Sequence, residues 1–184
     1  VTYSVKEISN IAGYKTTYST EGNKTTITNS EETTYEMEKV WVDTGVARPQ
    51  SIDVQLQQTV EGGTATANGA LVTLNADNEW KNTWSNLPTV SEGKAVTYSV
   101  KEISNIAGYK TTYSTEGNKT TITNSEETTY EVEKVWVDTG AARPESIEVQ
   151  LQQTVEGGTA TAYGAVVTLN ANNEWKHTWT NVPR

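Results

Sequence analysis

Three polar residues stand where a β-strand would turn its apolar side inward. Lys39 lies between Met37 and Trp41, Glu102 closes the face Tyr98-Val100-Glu102, and Asn124 closes the face Thr120-Ile122-Asn124. A second set repeats the pattern: Lys134 between Val132 and Trp136, with Glu7 and Asn29 elsewhere in the chain. A buried Lys or Glu is costly unless it is paired or neutral. Burial pushes a lysine pKa down and a glutamate pKa up. A neutral lysine amine is a nucleophile, and a protonated carboxyl polarises an amide carbonyl and shuttles its proton. An asparagine amide held against such an amine loses ammonia and becomes a Lys–Asn isopeptide, with positioning in a dry site supplying much of the rate. The product carries no charge on either partner. Each residue also has a plain reading: a snorkelling edge lysine, a solvated glutamate at a strand end, an asparagine entering a turn.

Other chemistries find little support. The 184 residues include one His and no Cys, which leaves no thiol catalysis, no thiolate metal site and no triad shared by both halves. Glu31 and Glu32, like Glu126 and Glu127, are adjacent and would point to opposite faces of a strand, a poor geometry for paired-carboxylate hydrolysis. Asp43 and Asp77 read as turn residues, so no metal site and no cofactor are expected. A net charge of −9 argues against nucleic acid as a partner. No apolar run is long enough for membrane insertion.

The elements that must place these residues recur. Val1 matches Val96, and the register holds at an offset of 95 residues to the end, with 11 differences in 89 aligned pairs. One difference, Asn82/His177, removes the only His from any shared role. Period-2 alternation marks strands at Met37-Lys39-Trp41, Ile52-Val54-Leu56, Trp80 to Trp84, Tyr98-Val100-Glu102, Tyr109-Thr111-Tyr113 and Thr120-Ile122-Asn124. Gly- and Asn-containing turns separate them. No helix is evident. Six or seven short strands in about 90 residues predict an all-β sandwich in tandem repeats. The phase of the repeat reads as a C-terminal half (1–29), a complete domain (35–124) and an N-terminal half (130–184). The end at Arg184 is expected to reflect tryptic-type proteolysis of a longer array, or a deliberately split chain.

The sequence resembles the B-type repeat domains of the collagen-adhesin (Cna B-type) family of Gram-positive surface proteins. The resemblance is carried by Lys39-Val40-Trp41-Val42-Asp43, Ala47-Arg48-Pro49, Ile52-Asp53-Val54-Gln55-Leu56, the stretch from Glu79 to Pro88, Tyr98-Ser99-Val100-Lys101-Glu102, Gly108-Tyr109 and Ile122-Thr123-Asn124. It implies a prealbumin-like, inverse immunoglobulin β-sandwich. It also implies an isopeptide between Lys39 and Asn124 with Glu102 as proton shuttle, and a second set of Lys134, Asn29 and Glu7. The loop after the first strand, Val42-Asp43-Thr44-Gly45, is shorter than the family's usual acidic turn, and nothing in it suggests calcium.

Two pairings of the halves are open. Lys39 could join Asn124 within 35–124, leaving 130–184 to be completed by residues 1–29 of another chain or a nicked neighbour. Alternatively each C-terminal half could fold back on the half that follows, pairing Asn29 with Lys39 and Asn124 with Lys134. The ten-residue joint makes the first pairing the expectation. The resulting function is a structural spacer in the stalk of a cell-wall-anchored, extracellular adhesin of a Gram-positive bacterium. It would not be an enzyme beyond one autocatalytic bond, and any host ligand would bind elsewhere in the parent protein. The alternative is a carbohydrate- or protein-binding module using exposed aromatics. Against that, Tyr3, Tyr14, Tyr18 and Trp80 are expected to be core or cross-strand residues.

Overall fold

Alternation of small or polar Thr with Tyr, Ile and Val gives the chain strands that are apolar on one side. The computed structural model describes residues 1–45 and 48–184; Val46 and Ala47, the latter part of the Ala47-Arg48-Pro49 motif, lie outside the described residues. The chain forms two compact units, Val1–Glu126 and Glu127–Arg184.

The first unit holds β1 (Tyr14–Glu21), β2 (Lys24–Val42), β3 (Ser51–Val60), β4 (Thr66–Ala67), β5 (Val72–Asn75), β6 (Lys81–Pro88), β7 (Val90–Ser91), β8 (Lys94–Glu102), β9 (Tyr109–Glu116) and the first part of β10 (Lys119–Glu133). In one sheet, β2 pairs antiparallel with β1 through residues 24–31 and with β6 through residues 32–38. Its residues 36–42 lie parallel to β10, which in turn pairs with β9. The other sheet has β3 at its centre, flanked by β8 on one side and by β4 and β5 on the other. The short β7–β8 hairpin turns through Glu92 and Gly93, both at positive φ (50° and 77°), the left-handed pair that a two-residue hairpin loop demands.

The facing sides of these sheets make the core: Tyr35 and Met37 from β2, Ile52, Val54 and Leu56 from β3, Leu74, Leu87, Val100 and Ile122. Each such buried aliphatic side chain contributes roughly 1.5–3 kcal/mol relative to exposure. The chain is an all-β sandwich built on a repeat, as its sequence predicts.

The second unit continues β10 and adds β11 (Ser146–Val149), β12 (Gln152–Gln153), β13 (Thr161–Ala162), β14 (Val167–Asn170), a single 3₁₀ turn (Ala171–Asn173) and β15 (Lys176–Pro183). Its strands are shorter than their counterparts one repeat earlier. The ten-residue β3 corresponds to two pieces, β11 and β12, and no strand of the β8 type lies beside them among the described residues. Likewise β2 runs to Val42 with β10 alongside, whereas β10 itself stops at Glu133, before Lys134.

The aromatic expectations hold in part. Tyr14 and Tyr18 are exposed but keep cross-strand partners, Glu31 and Ile27, whereas Tyr3 is exposed and lies in no strand, so its reading as a core or cross-strand residue is corrected. Trp80 packs against the core but precedes β6, in a left-handed turn at φ 60°, rather than sharing a strand face with Trp84.

Candidate cross-linking site

Register brings the first complete set of polar residues together. In the parallel pair of β2 and β10, Ile122 stands opposite Lys39 and Asn124 opposite Trp41. In the facing sheet, Glu102 ends β8 opposite Val54. The β8 end is pinned by Ile103 N–H donating to the Asp53 carbonyl and by Asp53 N–H donating to Ser104 Oγ. Tyr113 on β9 adds a third tie, its hydroxyl accepting from Glu102 N–H at 3.2 Å.

All three residues are buried: Lys39 is 5%, Glu102 7% and Asn124 0% exposed. Lys39 Nζ lies 3.3 Å from Glu102 Oε2. Asn124 Nδ2 donates to Glu102 Oε1 at 2.9 Å. One carboxylate thus touches both the amine and the amide. The Lys39–Glu102 contact is an ion pair without hydrogen-bond alignment; Lys39 Nζ, Glu102 Oε2 and Asn124 Oδ1 are all buried without a hydrogen-bond partner. Burial drives the Lys39 pKa down to about 8, against the opposing pull of Glu102 and, more weakly, Asp43. Uncharged amine is therefore accessible near neutral pH.

An aromatic roof covers the amine. Lys39 Nζ sits 4.4 Å from the Trp41 ring centroid, and Trp41 meets Trp80 and Tyr109 edge-on at 5.2 and 5.4 Å. Arg48 lies over the same indole at 5.4 Å. Arg48 is held by Asp43, whose two oxygens accept from Nη2 at 2.7 Å and from Nε at 3.2 Å. Asp43 also accepts from the Tyr109 hydroxyl at 2.9 Å. Its carboxyl is held below the usual range chiefly by Arg48, and burial together with Asp43 pushes the Tyr109 phenol up to about 12. Asp43 is thus more than a turn residue, since its side chain is fully buried and anchors the roof. Asp77 does lie in a turn, where its N–H donates to Asn75 Oδ1. Thr44 adds a clasp, with N–H and Oγ1 both donating to Glu126 Oε2 at 3.1 and 3.0 Å.

The second set is divided. In the first unit, Asn29 Nδ2 donates to Glu7 Oε1 at 3.2 Å, and Thr16 Oγ1 donates to Asn29 Oδ1 at 2.8 Å. Glu7 N–H donates to the Tyr18 hydroxyl at 3.0 Å, repeating the Glu102–Tyr113 tie one repeat earlier. In the second unit, Lys134 Nζ lies 4.6 Å from the Trp136 ring, Trp136 meets Trp175 at 5.2 Å, and Arg143 pairs with Asp138 at 2.7 Å. Asn29 and Lys39 both lie on β2, ten residues and roughly 33 Å apart. The fold-back pairing of Asn29 with Lys39 is therefore not formed.

Known proteins resemble this chain in sequence. The profile of the Cna protein B-type domain matches residues 35–125 and again 130–184. The collagen adhesin of Staphylococcus aureus is 34% identical over 198 residues, covering 99% of this chain but 15% of the adhesin. Among solved structures, the single B repeat unit (B1) of the S. aureus collagen-binding surface protein is 30% identical, with a TM-score of 0.40, covering 83% of this chain and 78% of that one. The two-repeat unit B1B2 of the same protein is 29% identical, with a TM-score of 0.42, covering 96% and 46%. The pilus adhesin SpaC of Lactobacillus rhamnosus GG is 17% identical, with a TM-score of 0.47, covering 78% and 19%. With the profile found in both copies of the repeat and over most of the residues, the chain belongs to the Cna protein B-type domain family.

Proposed function

We propose that the chain is a load-bearing stalk repeat of an extracellular, cell-wall-anchored adhesin, and that Lys39 and Asn124 become joined by an isopeptide bond. The observation that carries this reading is the convergence of a buried amine and a buried amide on one carboxylate, at 3.3 and 2.9 Å.

The reaction follows from that placement. The Lys39 ammonium passes a proton to Glu102. Neutral Nζ attacks Cγ of Asn124, the Cγ–Nζ bond forms and the Cγ–Nδ2 bond breaks. Nδ2 faces Glu102 Oε1, so the carboxyl returns its proton to the departing nitrogen. After the spare proton of the new amide is passed on, one ammonium ion leaves and Glu102 is again a carboxylate. Holding the two partners in place is worth an effective concentration of about 10⁵ M or more. The step occurs once, so the domain is not a turnover enzyme. It also removes a buried charge and turns an orphaned amine into an amide.

Mechanics follows from topology. β2 and β10 are parallel neighbours, and pulling the chain on either side of 39–124 shears them past each other. A covalent bond between them takes the load, and the residues between are spared. Single-molecule pulling through residues flanking this span should show no extension of the enclosed 85 residues. Asn124→Ala should release it, adding about 300 Å of contour. Equal extension of both proteins would overturn the proposal.

A further inference from the structure

β9 is an edge strand inside the complete domain 35–124. It pairs with β10 over its whole length without a register break, and no strand pairs its other edge among the described residues. Across the sheet, on the far side of β2, the edge strand β6 is interrupted by a register shift and ends in Pro88. Such breaks keep a sheet edge from adding another strand, and β9 has none. Every residue from Lys110 to Glu116 is exposed. Tyr113 shares its face with Ile122, its partner on β10, yet is 49% exposed where Ile122 is 0%.

The direction of the open backbone groups follows from the hairpin. The turn Gly117-Asn118 closes on the pair Glu116 and Lys119, so Glu116 directs its backbone bonds to β10. By the alternation of an antiparallel ladder, Ser114, Thr112 and Lys110 do the same. The N–H and C=O groups of Thr111, Tyr113 and Thr115 therefore point to the bare edge. Lys110 and Glu116 are the strand's charged residues, and each stands three positions from Tyr113, on opposite sides of it. Lys119, across the hairpin from Glu116, is held by Glu38 at 2.8 Å, and neither Lys110 nor Glu116 has an ion-pair partner among the described residues.

We propose that β9 pairs antiparallel with β9 of a second copy of the chain, about a two-fold axis at Tyr113. Thr111, Tyr113 and Thr115 of one copy then exchange backbone hydrogen bonds with Thr115, Tyr113 and Thr111 of the other. Lys110 of each copy faces Glu116 of the other, so two ion pairs form and no like charges meet. The neighbouring registers that the open backbone groups permit are centred on Thr112 or Ser114. In the first Lys110 faces Ser114, and in the second Glu116 faces Thr112, so neither matches the charges. The two-fold contact is isologous and smaller than a standard interface, so a single pairing is weak. β1 carries the same eight residues, and edges repeated along a chain strengthen one another by multivalency. Side-by-side association of stalks is the setting that the stalk reading gives this contact; the pairing itself does not depend on that reading or on the isopeptide.

The chain has no Cys, so single introduced cysteines report the register. In the proposed pairing Thr112 of one copy and Ser114 of the other are non-hydrogen-bonded neighbours with Cα atoms about 4.5 Å apart, within disulfide reach. Thr112→Cys and Ser114→Cys proteins are mixed in a glutathione redox buffer, each also carrying Lys15→Glu to weaken β1 as a competitor. The mixed disulfide dimer should form about tenfold or more faster than either dimer of like variants. Adding Lys110→Glu to both proteins should slow it about tenfold, and adding Glu116→Lys as well should restore it. Dimers of Thr112→Cys alone would place the axis on Thr112, dimers of Ser114→Cys alone would place it on Ser114, and either result overturns the assigned register. Equal rates for all three dimers, no response to Lys110→Glu, or no dimer at all overturns the pairing. Ammonia loss, read from the intact mass of the same proteins after reduction, judges the isopeptide separately.

Discussion

Lys39 and Asn124 reach the same carboxylate from parallel neighbouring strands, the amine 3.3 Å from one Glu102 oxygen and the amide 2.9 Å from the other. Glu102 itself comes from the opposite sheet. The site exists only when the sandwich is closed, so any bond between the two would have to follow folding.

Asn124→Ala should leave a folded sandwich without the cross-link. A cross-link closing 85 residues stabilises by about 4–5 kcal/mol on the chain-entropy account. Its loss should lower the melting temperature by roughly 15–30 °C, read by calorimetry. A melting temperature within a few degrees of the parent would count against the bond.

Glu102→Gln keeps a side chain able to hydrogen-bond Asn124 but unable to take the Lys39 proton. Intact mass should show both partners present and unreacted. Full ammonia loss at the parent's rate would remove Glu102 from its role.

Stability of the unreacted Asn124→Ala variant should depend on pH in a specific way. The folded Lys39 pKa, about 8, lies below its ordinary 10.5. Between those values the unfolded chain binds more protons, so stability rises with pH. Tyr109 acts oppositely. Its pKa is raised from 10 to about 12, so the folded chain holds more protons there and stability falls as pH rises. Tyr98, also raised by burial, adds to that fall. The urea midpoint should climb from about pH 8, by the equivalent of about 1–3 kcal/mol, crest near about 10 and then drop. In the cross-linked parent the amine is consumed, and the climbing limb should vanish. A flat profile in the variant would mean that Lys39 is hydrated.

Tyr109→Phe removes a 2.9 Å hydrogen bond to the buried Asp43 while keeping the ring against Trp41. A bond to a charged acceptor is worth about 1.5–3 kcal/mol. Denaturant unfolding of Tyr109→Phe made in the Asn124→Ala background should show a loss of that size. No loss would mean that Arg48 alone anchors Asp43.

The burial of the three polar residues was legible in the sequence because period-2 alternation places Lys39, Glu102 and Asn124 on apolar faces, where their charge or polarity is out of place. The roof was not. Asp43-Thr44-Gly45 reads as an ordinary turn, and the Tyr109 that meets Asp43 lies 66 residues away. Pattern within a strand says nothing about such a partner. Nor could sequence distinguish Asn29 from Asn124, since the residues around them are the same. What separates them is whether a facing sheet is present.

The strand β2 is 19 residues long and passes without a break from its pairing with β1 into the sandwich. An extended ribbon has almost no slack to take up. Tension applied at Lys24 would reach Lys39 nearly undiminished, and that stretch would behave as a taut cord, stiff from the outset.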